Sequence, residues 1–326
     1  MSVLVINCGS TSIKATVIDP ATGKRFAHLA VERLETAQAI FRIGDSDPQP
    51  CPRSHASAIE VCLPLLLAEV SADNAVQCVG HRVVHGGASF TQPTLLNDEV
   101  VEALKQTIPL APLHNPANIS GIEAARSLLV DQPHVAVFDT AFHSTISRRA
   151  FTYAIPTALA SKHGLRRFGF HGTSHKYVSE KAIAYLQVEK SKIITIHLGN
   201  GCSMTAVVNG KSIDHSLGFA PTTGLIMGSR SGDIDHSIIF HLTNNLGYKL
   251  EEVNELLNKK SGMIGLTGYG DLRDIQSEAE EGNIDCRLAL EMNVYRIKKY
   301  IGAYTAAMNG LDAIVFTAGI GENSSL

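Results

Sequence analysis

Two stretches of this chain, 191 positions apart, follow one pattern, and that repeat limits the possible folds more than any other feature. The first runs Val3-Leu4-Val5-Ile6-Asn7-Cys8-Gly9-Ser10-Thr11-Ser12-Ile13-Lys14-Ala15-Thr16-Val17. The second runs Ile194-Thr195-Ile196-His197-Leu198-Gly199-Asn200-Gly201-Cys202-Ser203-Met204-Thr205-Ala206-Val207-Val208. Each is an apolar run, a short turn of small polar residues and a second β-prone run. Ser12 aligns with Ser203, Ala15 with Ala206 and Val17 with Val208. One such segment is only a hairpin. Two of them, each opening one half of a 326-residue chain, predict a duplicated nucleotide-binding fold with a core in each half.

The rest of the chain reads as alternating strands and helices, hence α/β. Apolar spacing predicts helices over 57–70, 98–107, 118–129, 174–186, 234–245 and 250–258. A long helix over 285–308, apolar nearly all round, stops at the cap signal Asn309-Gly310. Strands are expected at 77–84, 134–138, 192–196 and 312–317, and Asn209-Gly210 signals a type I′ turn. Residues 45–52 read as a surface loop. The domain boundary is expected near residues 143–150, giving domains 1–145 and 146–326. A net charge of -3 gives no reason to expect a nucleic-acid or membrane partner. No apolar run approaches the roughly 20 residues that span a bilayer, and Val3 to Ile6, without a basic n-region or an apolar h-region, reads as a strand rather than a signal peptide. The six cysteines are scattered without a C-x-x-C pair, which fits a reducing cytoplasm rather than a disulfide framework or a zinc site.

Several segments look chemical. The turn Asn7 to Ser12 with Lys14 offers backbone amides, hydroxyls and an ammonium to an anion, although no Walker A pattern is present; a plain hairpin turn is the alternative. Gly199-Asn200-Gly201 is a second such turn, and Gly319-Ile320-Gly321-Glu322-Asn323 ends a strand as a third. Ligands of α/β folds gather at such strand ends. Arg82, in the apolar run His81-Arg82-Val83-Val84-His85, needs an anion, either a substrate or a structural partner. His81 and His85 read as structural. Asp139 ends the strand Val135 to Phe138, as a ligand-facing acid or a turn cap. His171 and His175 have i, i+4 spacing, but Gly172 is expected to break a helix there and no acid lies between them, so metal ligation is discounted. Arg230, between Gly228 and Gly232, could form a clamp on a phosphoryl group with Arg82, or lie in a surface loop.

Together these motifs resemble the acetate kinase family. The resemblance rests on Asn7-x-Gly9-Ser10-x-Ser12-x-Lys14, His81 to Gly87, Leu110-Ala111-Pro112-Leu113-His114-Asn115-Pro116, Phe138-Asp139-Thr140-Ala141-Phe142-His143 and Gly169-Phe170-His171-Gly172-Thr173-Ser174-His175. It continues through His197 to Gly201, Arg230-Ser231-Gly232-Asp233 and Gly319 to Asn323, in order over essentially the whole chain. The resemblance implies two related domains of the acetate kinase, sugar kinase and actin superfamily, a duplicated ribonuclease H-like fold around a nucleotide cleft. It implies reversible transfer of a phosphoryl group from ATP to acetate with Mg2+ or Mn2+, in a cytoplasmic homodimer. Carried over by motif, Arg82, Asp139, His171 and Arg230 are catalytic and Asn7 lies near the metal-bound phosphates. Ser10, Ser12, Lys14, His197, Leu198, Gly199, Asn200 and Gly201 meet the phosphates. Asp271, Leu272 and Arg273, with Gly319, Ile320, Gly321, Glu322 and Asn323, hold the adenosine end. Arg82 also orients acetate, and Val84, Leu113, Phe170 and Pro221 form the pocket for its methyl group.

Two departures accompany the resemblance. The glycine-rich run before Asp271-Leu272-Arg273 is altered to Thr267-Gly268-Tyr269-Gly270. Family members also continue past the position of Leu326, through a tail with a metal-linked glutamate, so the second domain is expected to be incomplete here. The alternatives are a propionate or butyrate kinase and a non-catalytic nucleotide-binding fragment.

Overall fold

Both hairpins form, and each starts a sheet of the same plan. A computed structural model describes residues 1–324, and the chain divides into two units, Met1–Ala141 and Phe142–Leu326.

The first unit contains β1 (Ser2–Cys8), β2 (Ile13–Ile18), β3 (Arg25–Glu32), β4 (Ile40–Ile43), β5 (Gln49–Pro50) and α1 (His55–Ala68). It continues with β6 (Val76–Val83), β7 (Thr94–Leu95), α2 (Asp98–Lys105), α3 (Asn115–Leu128) and β8 (His134–Phe138). Its sheet has the order β5-β4-β3-β2-β1-β6-β8-β7, with β1, β6 and β8 parallel. Alternation decides which face is buried. Leu4, Ile6 and Cys8 of β1, Ile13, Ala15 and Val17 of β2, and Leu29 and Val31 of β3 pack with Ile59, Leu63 and Leu66 of α1. A second cluster joins Val83, Ala136 and Phe138 to α2 and α3 through Leu104, Ile119 and Ile122. His81 and His134 are both buried, with Nε2 of the first 2.9 Å from Nδ1 of the second.

The second unit contains α4 (Arg148–Phe151), α5 (Thr157–His163), α6 (Gly172–Leu186), β9 (Lys192–Leu198), β10 (Cys202–Val208) and β11 (Lys211–His215). Beyond these lie α7 (Ser237–Asn244), α8 (Leu250–Lys259), α9 (Gly262–Thr267), α10 (Leu272–Glu280), α11 (Ile284–Met308), β12 (Ala313–Thr317) and α12 (Ala318–Asn323). Its sheet order is β11-β10-β9-β12, with the first two pairings antiparallel and the last parallel. That is the order and sense of β3-β2-β1-β6, so the duplication extends beyond the hairpins. Asn209 (φ 50°) and Gly210 (φ 74°) have the two left-handed conformations of a type I′ turn.

Three expectations need correction. Gly9 to Ser12 puts four residues between β1 and β2, whereas Gly199 to Gly201 puts three between β9 and β10, so a constant offset does not carry residue equivalence through the turn. Gly172 opens α6 rather than breaking it, because the first amides of a helix need no intrahelical acceptor. Gly319 to Gly321 lie within α12, not in a turn, with Glu322 Oε1 accepting from the Ala318 amide at 3.1 Å. Along α11, Cys286, Ala289, Tyr304 and Met308 are buried, while Leu288 and Tyr295 are exposed. All six cysteines are free thiols, and no helix among the described residues is long and apolar enough to cross a membrane.

Candidate active site

In the first unit the chemistry gathers at the carboxyl ends of three neighbouring parallel strands. Asn7 lies near the end of β1, Arg82 near the end of β6, and Asp139 directly follows β8. The Asp139 carboxylate accepts from Arg82 at both oxygens, Nε at 3.0 Å and Nη2 at 2.5 Å, while Nη1 donates to Asn7 Oδ1 at 3.0 Å. Asp139 is 1% exposed. The neighbouring carboxylate pushes the Arg82 guanidinium further up, so it is a fixed cation.

The start of α3 holds these strand ends in place. Asn118 accepts the Val84 amide at 2.9 Å and donates to the Cys8 carbonyl at 2.6 Å, joining the ends of β6 and β1. Asn115 accepts from the His85 amide and donates to the His85 carbonyl. Ser10 and Lys14 are exposed and Ser12 is half-buried in the turn between β1 and β2, where the Gly9 amide donates to the Ser12 carbonyl at 2.7 Å. Val84 is buried and Leu113 is 54% exposed.

In the second unit His171 takes a left-handed conformation (φ 54°) at the start of α6, an uncommon one for a residue with a Cβ. Its ring stacks on His197 at 4.3 Å, and its Nδ1 lies 2.8 Å from Ser203 Oγ. A point one Cβ bond from Gly201 is 3.5 Å from His171 Nε2 and 3.8 Å from Arg230 Nη1, so all three border one small space. Arg230 Nη1 donates to the Pro221 carbonyl at 2.8 Å. Among the described residues no carboxylate forms an ion pair with Arg230. Burial pulls its guanidinium down somewhat from the ordinary value. A half-buried cation without an anion is poised to take one.

Arg230 is placed by α9. The Met263 and Ile264 amides at the start of that helix donate to the carbonyls of Met227 and Gly228, and the Gly228 amide donates to Asn200. Gly262 has φ +62°, and a Cβ there would overlap the carbonyl oxygens of Met227 and Arg230. Gly262→Ala is therefore expected to destabilise the second unit by at least about 2 kcal/mol and to shift Arg230. Denaturant unfolding checks this, and a midpoint unchanged from wild type would contradict it.

A cavity of about 520 Å³ opens beside the Gly199 turn. Of the residues expected around a nucleotide, Gly199, Asn200, Asp271, Leu272, Arg273, Gly319, Ile320 and Asn323 line it. His197, Leu198, Gly201, Gly321 and Glu322 do not, and Ser10, Ser12 and Lys14 belong to the first unit. Asp271 caps α10 and pairs with Arg273 on both Nε and Nη2, at 3.0 and 2.6 Å. Motif reading missed Met263, Gln276 and Asn293 in this wall, and the Asn118 tie. Apolar and amide residues on separate helices carry no local signature.

Comparison with known proteins now decides the family. The model of the acetokinase family matches residues 2–326. The chain belongs to the acetokinase family. It is 54% identical to an acetate kinase of Flavobacterium johnsoniae, over 100% of this chain and 84% of that one. It is 48% identical to an acetate kinase of Pseudothermotoga lettingae, over 99% and 83%. Among solved structures it is similar to the Porphyromonas gingivalis acetate kinase (42% identity, TM-score 0.92, covering 99% and 84%). It is also similar to a propionate kinase from Francisella tularensis (43%, 0.94, covering 99% and 85%). The acetokinase fold, with two related α/β units, is the duplicated frame expected from the hairpins. Arg82, Asp139 and Asn7 are brought together within the first unit, and His171, Gly201 and Arg230 within the second.

Proposed function

We propose that this acetokinase phosphorylates acetate with ATP, reversibly, giving acetyl phosphate and ADP. The observation that carries the reading is the half-buried Arg230 guanidinium, which pairs with no carboxylate among the described residues and borders one space with His171 and Gly201. That space suits a phosphoryl group. An acetate oxygen forms the new bond to the γ-phosphorus while the bond to the bridging β,γ-oxygen breaks, and ADP leaves with that electron pair. Acetate is already ionised at neutral pH, so no base is needed. Catalysis is then alignment and charge neutralisation. Arg230 and the His171 Nε2 face would take the equatorial oxygens, and Arg82 would orient the acetate carboxylate.

Val84, Leu113, Phe170 and Pro221 would take the acetate methyl. The cavity lined by Asp271, Leu272, Arg273 and α12 would take the nucleoside, with Ser10, Ser12, Lys14 and His197 to Gly201 toward the phosphates. No group of three or more His, Cys, Asp or Glu side chains among the described residues is arranged for a metal. That fits Mg2+ or Mn2+ arriving with the nucleotide, since such an ion takes one or two protein oxygens and otherwise phosphate and water. Asn7 is the residue that would lie toward it, and it would supply charge neutralisation. The six free thiols support a cytoplasmic location, and the family resemblance implies a homodimer.

The likeness to a propionate kinase favours a second reading, with propionate as substrate. A hydroxamate assay with acetate, propionate and butyrate tests both. Acetate is expected to lead in kcat/KM by about tenfold, since one methylene in an apolar pocket is worth about 1–3 kcal/mol. Propionate ahead would establish the second reading. ATP binding by calorimetry without any acyl phosphate would overturn both.

A further inference from the structure

The loop that carries Arg230 is closed at its neck by a carboxylate. Asp233 Oδ1 accepts the Gly224 amide at 2.7 Å, and the Asp233 amide donates to the Gly224 carbonyl at 3.0 Å. Residues 224–233 thus form a closed loop, and the Met227 amide donates to the Arg230 carbonyl in the turn at its tip. Two side chains about one turn apart on α11 fasten the neck from outside. Arg296 Nη1 donates to the Gly224 carbonyl at 2.9 Å and lies 3.6 Å from Asp233 Oδ2. The Tyr300 hydroxyl donates to the same Oδ2 at 2.7 Å. We propose that Asp233, Arg296 and Tyr300 are positioning residues that aim the Arg230 guanidinium. The inference rests on the reading that Arg230 takes oxygens of the transferring phosphoryl group.

Different supports act on the two ends of that arginine. Its backbone is held from the side of α8 and α9. The Met263 and Ile264 amides take the Met227 and Gly228 carbonyls, the Ser261 amide takes the Ser229 carbonyl, and the Ser231 amide donates to Leu257. Its head group is held by the Pro221 carbonyl, which accepts from Nη1 at 2.8 Å. Pro221 lies outside the loop, three residues before Gly224. The neck is what joins the segment of Pro221 to the loop of Arg230. The Thr223 hydroxyl adds a bond to the Ser216 carbonyl at 3.1 Å, which ties that segment to the end of β11 instead. With the neck open, Arg230 keeps its place in the backbone and loses its aim.

Charge points the same way. Asp233 is three residues from Arg230, and a carboxylate turned toward that guanidinium would occupy the nitrogens a phosphoryl group needs. Both Asp233 oxygens are engaged elsewhere, Oδ1 by the Gly224 amide and Oδ2 by Tyr300 and Arg296. The carboxylate therefore closes the loop without neutralising the arginine at its tip. Arg296 supplies the balancing charge from α11.

The test is steady-state kinetics with acetate and ATP, together with amide hydrogen exchange, on Asp233→Ala, Asp233→Asn and Tyr300→Phe. Asp233→Ala is expected to lower kcat about 10- to 100-fold, the cost of misplacing a reacting contact by about 1 Å. KM for ATP should stay within about threefold, because Met227 and Gly228, which line the nucleotide cavity, remain bonded to α9. Asp233→Asn keeps an oxygen for the Gly224 amide and is expected to hold kcat within about threefold of wild type. Exchange at the Gly224 amide should rise about tenfold or more in Asp233→Ala while the Met263 and Ile264 amides stay protected. A folded Asp233→Ala enzyme with kcat within threefold of wild type overturns the proposal. So does an Asp233→Asn enzyme as slow as Asp233→Ala, since the charge rather than the closure would then be at work. If Asp233→Ala does not fold, Tyr300→Phe decides: a kcat at least threefold lower supports the positioning role, and a smaller loss overturns it. Failure of the underlying reading looks different: Arg230→Ala would keep its kcat while the Gly224 amide of Asp233→Ala still lost protection.

Discussion

Arg82→Ala is expected to lower kcat by about a thousandfold or more while the KM for ATP moves less than about threefold. The side chain is not a generic surface cation. Its three guanidinium nitrogens are already aimed by Asp139 and Asn7, and it sits at the carboxyl ends of β1, β6 and β8. In a reaction whose catalysis is alignment and charge neutralisation, removing a preset cation removes stabilisation made mainly in the transition state, so the loss falls on kcat. Breaking the pair also strips a guanidinium from a carboxylate that is 1% exposed, which can cost several kcal/mol of stability. Arg82→Lys separates the two effects. It keeps the charge and most of the fold but cannot reproduce the two-nitrogen grip on Asp139, so it should fold near normally yet stay at least about tenfold slower. Turnover within tenfold of wild type in a folded Arg82→Ala protein would remove Arg82 from the catalytic assignment.

Acid is expected to unfold the protein early. Burial pulls His81 down to about 3 and His85 to about 4, from an ordinary 6.5, and holds His175 and His215 well below it. His134, 2.9 Å from His81, adds to the depression of that ring because two cations there would repel. Below pH 6.5 the unfolded chain takes up protons that the folded chain refuses. Stability is therefore complete above 6.5 and falls as the pH drops, for His85 until about 4 and for His81 until about 3. Each group contributes up to about 1.4 kcal/mol per pH unit, so His81 and His85 each cost about 2 kcal/mol between pH 6.5 and 5. His175 and His215 act in the same direction in the second unit. Set against the usual total of about 5–15 kcal/mol, this brings the first unit close to unfolding near pH 5. Urea midpoints at pH 8, 6.5 and 5 measure it, and midpoints level from 6.5 to 5 would refute the account.

Much of this was legible in the residues because it repeats or is punctuated locally. The hairpins showed the duplicated sheet, Asn209-Gly210 its turn, and Arg82 in an apolar strand its need for an anion, which Asp139 supplies. Motif spacing could not show that Asp139, Asn7 and Arg82 converge, since parallel strands distant in sequence bring them together. Nor could it show that Ser203 reaches His171 and His175, which the start of α6 supplies. The errors share a cause. Glycine reads as a helix breaker or a turn, but Gly172 sits where a helix begins and Gly319 to Gly321 lie within α12.

The shared strand order also governs how the chain is assembled as it is made. In the first unit β1 waits about 75 residues for its parallel neighbour β6, whereas in the second β9 waits about 120 for β12. Until Ala313 to Thr317 have been synthesised, one edge of β9, with the apolar run Ile193, Ile194 and Ile196, has no strand to pair with. An uncovered edge of that composition recruits other chains. Aggregation during synthesis, and any need for chaperones, should therefore concentrate in the interval between the two strands of the second sheet, after the first unit has already folded.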